Sequence, residues 1–146
     1  MAKKGVRLVV LCEDQAHERF ARHAFLRLGY HKRELRVLTS PAGRGSAEQW
    51  VRQSYADEVR AVRRRASHQK VGLVVVVDAD RLTVAARQQQ LADGLNAAHV
   101  SERTAREAIA VWVPKRHIET WVVALRGQEA NEEDDYKAAA AGLDYG

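Results

Sequence analysis

The sequence predicts an α/β protein in which a mostly parallel, four-stranded sheet is flanked by helices. Short apolar runs rich in valine and leucine alternate with longer amphipathic stretches, and this order is typical of consecutive βαβ units. The runs near residues 6–12 and 72–77 have the nearly continuous apolar character of strands buried on both faces. The length of 146 residues fits a single domain with a sizeable core.

Four segments have the pattern of strands. The second alternates apolar and polar residues, whereas the other three are nearly continuous apolar runs. Pro114 follows the last run and ends it, because proline cannot donate to a strand ladder. The predicted strands are Val6–Cys12, Glu34–Thr39, Gly72–Val77 and Ala108–Val113.

Helices are predicted where apolar side chains recur at helical spacing. Gly29 is a stop signal for the first helix, and Ser46 is a candidate N-cap for the second. The predicted helices span residues 13–28, 46–67, 83–96 and 117–125. We assign residues 1–127 to the domain and residues 128–146 to an acidic, alanine-rich tail that is partly disordered or helical.

The composition is that of a globular protein, with 46% hydrophobic and 29% charged residues. Cys12 is the single cysteine, so no intrachain disulfide can form, and its apolar surroundings predict a buried structural thiol. This cysteine usage favours a reducing compartment, and we expect a cytoplasmic protein. The apolar stretch Leu8–Cys12 is too short for a signal peptide or a membrane span.

Positive charge is concentrated in the predicted domain. Residues 1–127 hold 23 basic and 13 acidic residues, a net charge of +10, compared with +5 for the whole chain. A basic body suits a polyanionic partner such as nucleic acid. Plain solubility charge explains the same composition, so charge alone does not choose between the two.

Three acidic residues follow the ends of predicted strands. Glu13 comes directly after the first strand, and Asp78 and Asp80 are the first and third residues after the third. Because the carboxyl ends of parallel strands share one edge, we expect these carboxylates to converge there. Carboxylates that stay ionised at close range favour a bound cation, and oxygen ligands suit Mg²⁺. Solvated acids or helix caps are the alternative.

The order of these motifs resembles the Toprim domain, a Rossmann-like fold shared by topoisomerases, primases, recombination-repair proteins and the overcoming-lysogenization-defect (OLD) nucleases. The matching segments are Val9–Glu13, where a glutamate follows an apolar strand, and Val74–Asp80, which ends in Asp-x-Asp. The OLD-like branch adds a glutamate after a further strand. The segment Val113–Trp121 resembles that element, with Glu119 as the matching acid.

The resemblance implies metal-dependent phosphodiester chemistry on nucleic acid, by a nuclease or nickase that acts in phage defence. The implied ion is Mg²⁺ or Mn²⁺, which would polarise the phosphate and activate a water. The implied catalytic and metal-binding residues are Glu13, Asp78, Asp80 and Glu119. Glu13 is implied as a metal ligand or general base. Glu18 or His17 would join a second metal site, although the helical pattern favours a solvated His17.

The partner implied by this resemblance is nucleic acid, DNA in preference to RNA. A basic cluster late in the second predicted helix, and the loop before that helix, are candidates for phosphate contacts. A solvated helix end is the alternative for the cluster. The candidate nucleic-acid-binding residues are Arg44, Arg63, Arg64, Arg65, Lys70, Lys115 and Arg116. A separate ATPase or other protein subunit, or a homo-oligomer, is compatible with this prediction, and no membrane partner is expected.

Two other functions fit part of the pattern. A non-catalytic Toprim-like domain would bind nucleic acid or regulate a larger complex. A phospho-receiver domain also gathers acids at strand ends and uses a lysine, for which Lys115 is the candidate, but that lysine follows a fifth strand and four are predicted. A haloacid-dehalogenase-type phosphatase is excluded, because Leu82 occupies the threonine position of its Asp-x-Asp-x-Thr motif.

Overall fold

A computed structural model of the chain describes residues 5–41, 46–79 and 82–114. Within these ranges four strands form one all-parallel sheet, and three helices flank it. The predicted α/β, Rossmann-like architecture is therefore confirmed. The predicted helix at 117–125 and the predicted tail at 128–146 lie outside the described residues. None of the helices in the described ranges is long and apolar enough to cross a membrane.

Strands and helices alternate along the chain, and a short 3₁₀ turn at Lys32–Glu34 precedes the second strand. The strands are β1 (Val6–Cys12), β2 (Leu35–Thr39), β3 (Lys70–Val76) and β4 (Ile109–Trp112), and the helices are α1 (Gln15–Arg27), α2 (Ala47–Arg65) and α3 (Val84–Ala97).

Side chains at the helix starts explain where the helices begin. Asp14, Ser46 and Thr83 each accept a hydrogen bond from a backbone N–H in the first turn of α1, α2 and α3, respectively. At the other end of α1, Gly29 has a φ of 97°, a conformation that costs glycine little because it has no Cβ. The helices therefore start and stop at signals that lie in the local sequence.

The strand order in the sheet is β2-β1-β3-β4. The chain moves from β1 to one neighbour, β2, and then returns past β1 to the other neighbour, β3. The order therefore reverses between β1 and β3, whose last residues Cys12 and Val76 lie side by side. In open α/β sheets, ligands bind outside the carboxyl ends of the strands at such a switch point.

Each face of the sheet packs against a different set of helices. Leu8, Val10 and Cys12 of β1 pack on the face covered by α1, where the Phe25 ring stacks 5.1 Å from that of Trp112. The alternate residues of β1 pack against α2 and α3 on the opposite face. This separation follows from the period-two alternation of side chains along a strand.

Cys12 is fully buried, and burial is the largest of the effects that raise the pKa of its thiol to about 12. The thiol therefore stays protonated, since the thiolate would carry its charge in apolar surroundings. The prediction of a buried structural cysteine is confirmed.

The start of the second strand differs from the prediction, which placed it at Glu34. Glu34 instead ends the 3₁₀ turn, and its carboxylate oxygens accept hydrogen bonds from the backbone N–H groups of Val6 and His31. These bonds keep Glu34 in the 3₁₀ turn, so β2 begins one residue later than the alternation of apolar and polar residues predicts. The difference arises because one carboxylate oxygen bonds to the nearby His31 N–H and the other to the Val6 N–H of β1, 28 residues away in the chain.

Candidate metal centre

The site is built on the ends of β1 and β3. In the extended chain after β3, the N–H groups of Val77 and Ala79 bond towards the β4 side, to Trp112 and Pro114. The N–H of the intervening Asp78 therefore points the other way, towards β1, which has already ended.

Glu13 takes the place of the missing strand partner. It is the first residue beyond β1, and its Oε1 accepts the Asp78 N–H at 2.9 Å. The bond joins residues 65 positions apart in the chain. Glu13 and Asp78, which the sequence analysis placed at one sheet edge, are thus brought into direct contact.

The side chain of Asp78 lies on the α1 face of the sheet. Val74 and Val76 belong to the core on that face, and period-two alternation extends the same face to residue 78. There the Asp78 side chain is only 10% exposed, and its Oδ1 lies 3.1 Å from Nε2 of His17.

His17 is fully buried in the first turn of α1. The Asp14 cap accepts the His17 N–H and sets where the helix begins, so that residue 17 faces the sheet edge. The Glu13 N–H lies 3.4 Å from Nδ1 on the other side of the ring. The sequence pattern favours a solvated His17, and this is wrong because α1 packs this face against the strand ends.

The electrostatic environment of His17 favours its charged form. Burial lowers the pKa of the imidazole, but the hydrogen bond to Asp78 and the negative charges of Asp78, Glu13 and Asp14 raise it more strongly, to about 9. A proton on Nε2 faces the Asp78 carboxylate, whereas the Glu13 N–H that donates to Nδ1 opposes a proton on that second nitrogen. An ion that binds there would displace that proton, because metals bind the neutral imidazole.

The three donor atoms lie close together at the sheet edge. One ligand atom from each of Glu13, His17 and Asp78 lies within 4.8 Å of the others. Adjacent ligands of an octahedral ion with bonds of about 2.1 Å are about 3.0 Å apart, and opposite ligands about 4.2 Å apart. The 3.1 Å between His17 Nε2 and Asp78 Oδ1 already matches an adjacent pair. A pair near the 4.8 Å bound is farther apart than opposite ligands, so side chains would have to move for all three to bind one ion.

A buried arginine from α3 holds the backbone at this site. Arg87 is 6% exposed, and its Nε donates to the Asp78 carbonyl at 2.9 Å. Its Nη1 donates to Gln90 at 2.7 Å and lies 2.7 Å from Glu48 of α2 in an ion pair. The sequence analysis missed Arg87, although it lies on the same helical stripe as buried Leu91 and is a charged residue on an apolar face.

Glu18, which the resemblance placed in a second metal site, is not among the three residues that come together. Its Oε2 pairs with Nε of Arg22 at 2.8 Å, one helical turn further along α1. His17 occupies the buried face at this level of the helix, and successive helical residues point about 100° apart. The predicted site residues Asp80 and Glu119 lie outside the described residues.

The candidate phosphate-binding residues are in different environments. Arg64 and Lys70 are exposed, and Arg65 is half-buried. Arg63 is instead bound within the protein, since its guanidinium donates to Glu107 at 2.7 and 2.9 Å and to the Ser101 carbonyl at 2.8 Å. It joins α2 to the segment before β4. Arg44, Lys115 and Arg116 lie outside the described residues.

The Arg63–Glu107 pair predicts an acid-dependent loss of stability. Its hydrogen bonds lower the pKa of Glu107 from 4.5 to about 2. A lowered folded-state pKa contributes stability above pH 4.5 that is lost as pH falls towards 2. Because the pair is partly exposed, we expect Glu107→Gln to lower the free energy of unfolding by about 1 kcal/mol at pH 7 and to have little effect near pH 2. Urea unfolding at pH 7 and near pH 2 measures the free energy of unfolding of the variant and the wild type. Glu102→Gln, the same change at an exposed position, is the control. If Glu107→Gln lost the same stability at both pH values, the prediction would be contradicted.

The described site combines two carboxylates and an imidazole at the switch point of a parallel sheet, with a buried arginine fixing the backbone beside them. The contact between Glu13 and Asp78 joins the ends of β1 and β3, and the contact between His17 and Asp78 joins α1 to the end of β3. In comparisons with protein-family models, curated proteins and solved structures, the chain matches none of them.

Proposed function

We propose that this protein is a metal-dependent nuclease or nickase that acts on nucleic acid, with DNA as the preferred substrate. The observation that carries the proposal is the convergence of Glu13, His17 and Asp78 within 4.8 Å at the strand-order switch point. The basic body of the chain, +10 over residues 1–127, supports a polyanionic substrate. The motif order shared with Toprim domains supports the same chemistry.

The types of ligand atom at the site indicate which divalent ion it would prefer. Carboxylate oxygens suit Mg²⁺ and Mn²⁺, whereas an imidazole ligand favours Mn²⁺ over Mg²⁺. We therefore propose Mn²⁺ as the better activator, with Mg²⁺ as a second ion that the carboxylates accept. When bound, the ion would polarise a phosphate and lower the pKa of a coordinated water.

The protein residues have separate roles in this proposal. Asp78 and His17 hold the ion, and burial of both side chains keeps their orientation fixed. Glu13 acts as a ligand or as the general base that takes a proton from the attacking water. Arg87 is a positioning residue, since it is buried and its Nε holds the Asp78 carbonyl at 2.9 Å.

The direct test is incubation of the purified protein with supercoiled DNA, linear DNA and RNA in Mn²⁺, Mg²⁺ or EDTA. We expect nicked or shortened products in Mn²⁺, fewer in Mg²⁺ and none in EDTA. Products that are equally abundant in EDTA would contradict the metal-dependent mechanism. Absence of products with every substrate and ion would contradict the enzymatic function.

Metal binding also predicts a change in thermal stability. A ligand at 100 times its Kd stabilises the native state by about 2.7 kcal/mol. We therefore expect Mn²⁺ to raise the Tm by roughly 5–10 °C in a protein of this size. His17→Gln should abolish most of the rise, and His23→Gln, the same change at a half-buried position of α1, should retain it. An equal rise in both variants would place the ion elsewhere.

A non-catalytic nucleic-acid-binding subunit is the second candidate. The observation that favours it is the 3.1 Å contact between His17 and Asp78, because an imidazole N–H at that position satisfies the carboxylate without an ion. Nucleic-acid binding that is unaffected by EDTA, together with no Mn²⁺-dependent rise in Tm, would favour this candidate over the nuclease.

A further inference from the structure

A second charged feature lies at the opposite edge of the sheet. A cavity of about 410 Å³ is bounded by the beginnings of β1 and β2 and by the end of α2. Arginines dominate its polar lining, and none of the described residues that line it is aromatic. The four arginines are Arg7, Arg33, Arg36 and Arg65. We refer to it as the arginine cleft.

The fold explains why these arginines meet. Arg36 of β2 lies beside Val9 of β1 in the sheet register, and Arg7 is two residues before Val9, so all three share one face. Val9 packs in the core beneath α2, which identifies that face. Arg65 is the last residue of α2, which packs on this face of the sheet, so its side chain joins the lining of the cleft.

The cleft carries a net positive charge among its described lining residues. Glu34 is its one acidic lining residue, and both oxygens of Glu34 accept backbone N–H groups, from Val6 and His31. Within the described residues, none of the four arginines forms an ion pair with a carboxylate. Guanidinium groups that lie close together and form no ion pair within the protein are suited to bind phosphate, often through two parallel N–H···O hydrogen bonds.

We propose that the arginine cleft binds the phosphodiester backbone of nucleic acid. The absence of aromatic lining argues against a single nucleotide, because nothing would stack on its base. Three of the four arginines, Arg7, Arg33 and Arg36, are exposed and so can reach consecutive phosphates on a strand passing over the surface. The proposal does not require metal binding at Glu13, His17 and Asp78.

The two sites are separated by the length of β1. Seven residues of a parallel strand span about 23 Å, which corresponds to about seven nucleotide steps of B-DNA. A nucleic acid of more than about ten nucleotides could contact both edges at once. Contacts in the arginine cleft would then contribute to affinity and register, without taking part in bond cleavage.

The test compares two double variants that remove the same charge. Arg7→Gln/Arg36→Gln changes the cleft, and Arg19→Gln/Arg27→Gln changes exposed arginines of α1 on the other side of the sheet. Fluorescence anisotropy with a labelled 20-nucleotide duplex in EDTA measures binding without cleavage. We expect the cleft variant to weaken binding roughly tenfold and to reduce the salt slope by about 1.8, and the α1 variant to change neither appreciably.

Three outcomes would overturn the proposal. Equal weakening in both double variants would mean that overall charge alone is responsible. Unchanged duplex binding in the cleft variant would exclude the cleft as a nucleic-acid site. If that variant lost binding of inorganic phosphate or a nucleoside monophosphate but kept duplex binding, the cleft would be a site for a small phosphate compound and the proposal would be wrong. Arg33→Gln, in the 3₁₀ turn, is a second variant whose weaker binding would support the proposal if the double variant does not fold. Metal-dependent cleavage of short oligonucleotides, which do not reach the cleft, tests the proposed nuclease separately. If the cleft variant retains this cleavage, a negative binding result concerns the arginine cleft and not the nuclease.

Discussion

Asp78→Asn is expected to lower metal-dependent cleavage by at least about 100-fold, equivalent to about 2.7 kcal/mol in the activation free energy. Asparagine keeps the size of the side chain but removes the negative charge that lies 3.1 Å from His17 Nε2. The backbone N–H that bonds Glu13 is unchanged by this substitution. The loss would therefore report the missing carboxylate, which the proposed mechanism uses to hold the ion.

The matched control for this variant is Asp93→Asn. Asp93 is exposed on α3, where its Oδ1 accepts a hydrogen bond from Gln89, so the same chemical change is made away from the site. Initial rates on supercoiled DNA in Mn²⁺ should be unaffected by the control. Circular dichroism checks that both variants are folded. Comparable rates for Asp78→Asn and the wild type would remove Asp78 from the mechanism.

Arg87→Met is expected to lower the free energy of unfolding by about 3 kcal/mol. Methionine fills a similar volume but donates no hydrogen bond, so the Asp78 carbonyl would lose a donor at 2.9 Å. Glu48 would lose its ion pair with Arg87, whose side chain is only 7% exposed, and would keep its pair with Arg52. Unpaired polar groups in buried surroundings carry the full cost of their desolvation.

Arg52→Met provides the comparison, because Arg52 pairs with the same Glu48 but its side chain is 36% exposed. A partly exposed pair contributes less than a buried one, and we expect a loss below about 1 kcal/mol. Guanidinium chloride unfolding followed by circular dichroism measures both. If the two variants lost the same stability, Arg87 would have no special part in holding the residue 78–79 backbone.

The elements of the fold were largely predictable because their signals are local. β1 was predicted at its observed bounds, Val6–Cys12, since a strand buried on both faces is a continuous apolar run. Ser46 was predicted as a helix start and caps α2 through its hydroxyl. The beginning of β2 was predicted one residue early, because the bonds made by Glu34 depend on a backbone group of β1 that is distant in sequence.

The candidate site was partly predictable. Alternation of strands and helices places Glu13 and Asp78 at one edge, whatever the order of the strands. That β1 and β3 are neighbours, and that α1 covers the face carrying Asp78, depends on contacts between segments far apart in the chain. Glu18 was chosen over His17 because a helical pattern alone does not indicate which face of the first turn is buried.

The sequence by itself determined the positions of the strands, the caps of the helices and the placement of acids just beyond β1 and β3, because these are set by residue type over a few positions. Only the tertiary structure decided that His17 completes a group with Glu13 and Asp78, that Arg87 secures its backbone, and that four arginines from three segments form a cleft. The physical reason is that burial and charge neutralisation depend on which surfaces pack together, and long-range packing is not encoded in any one local pattern.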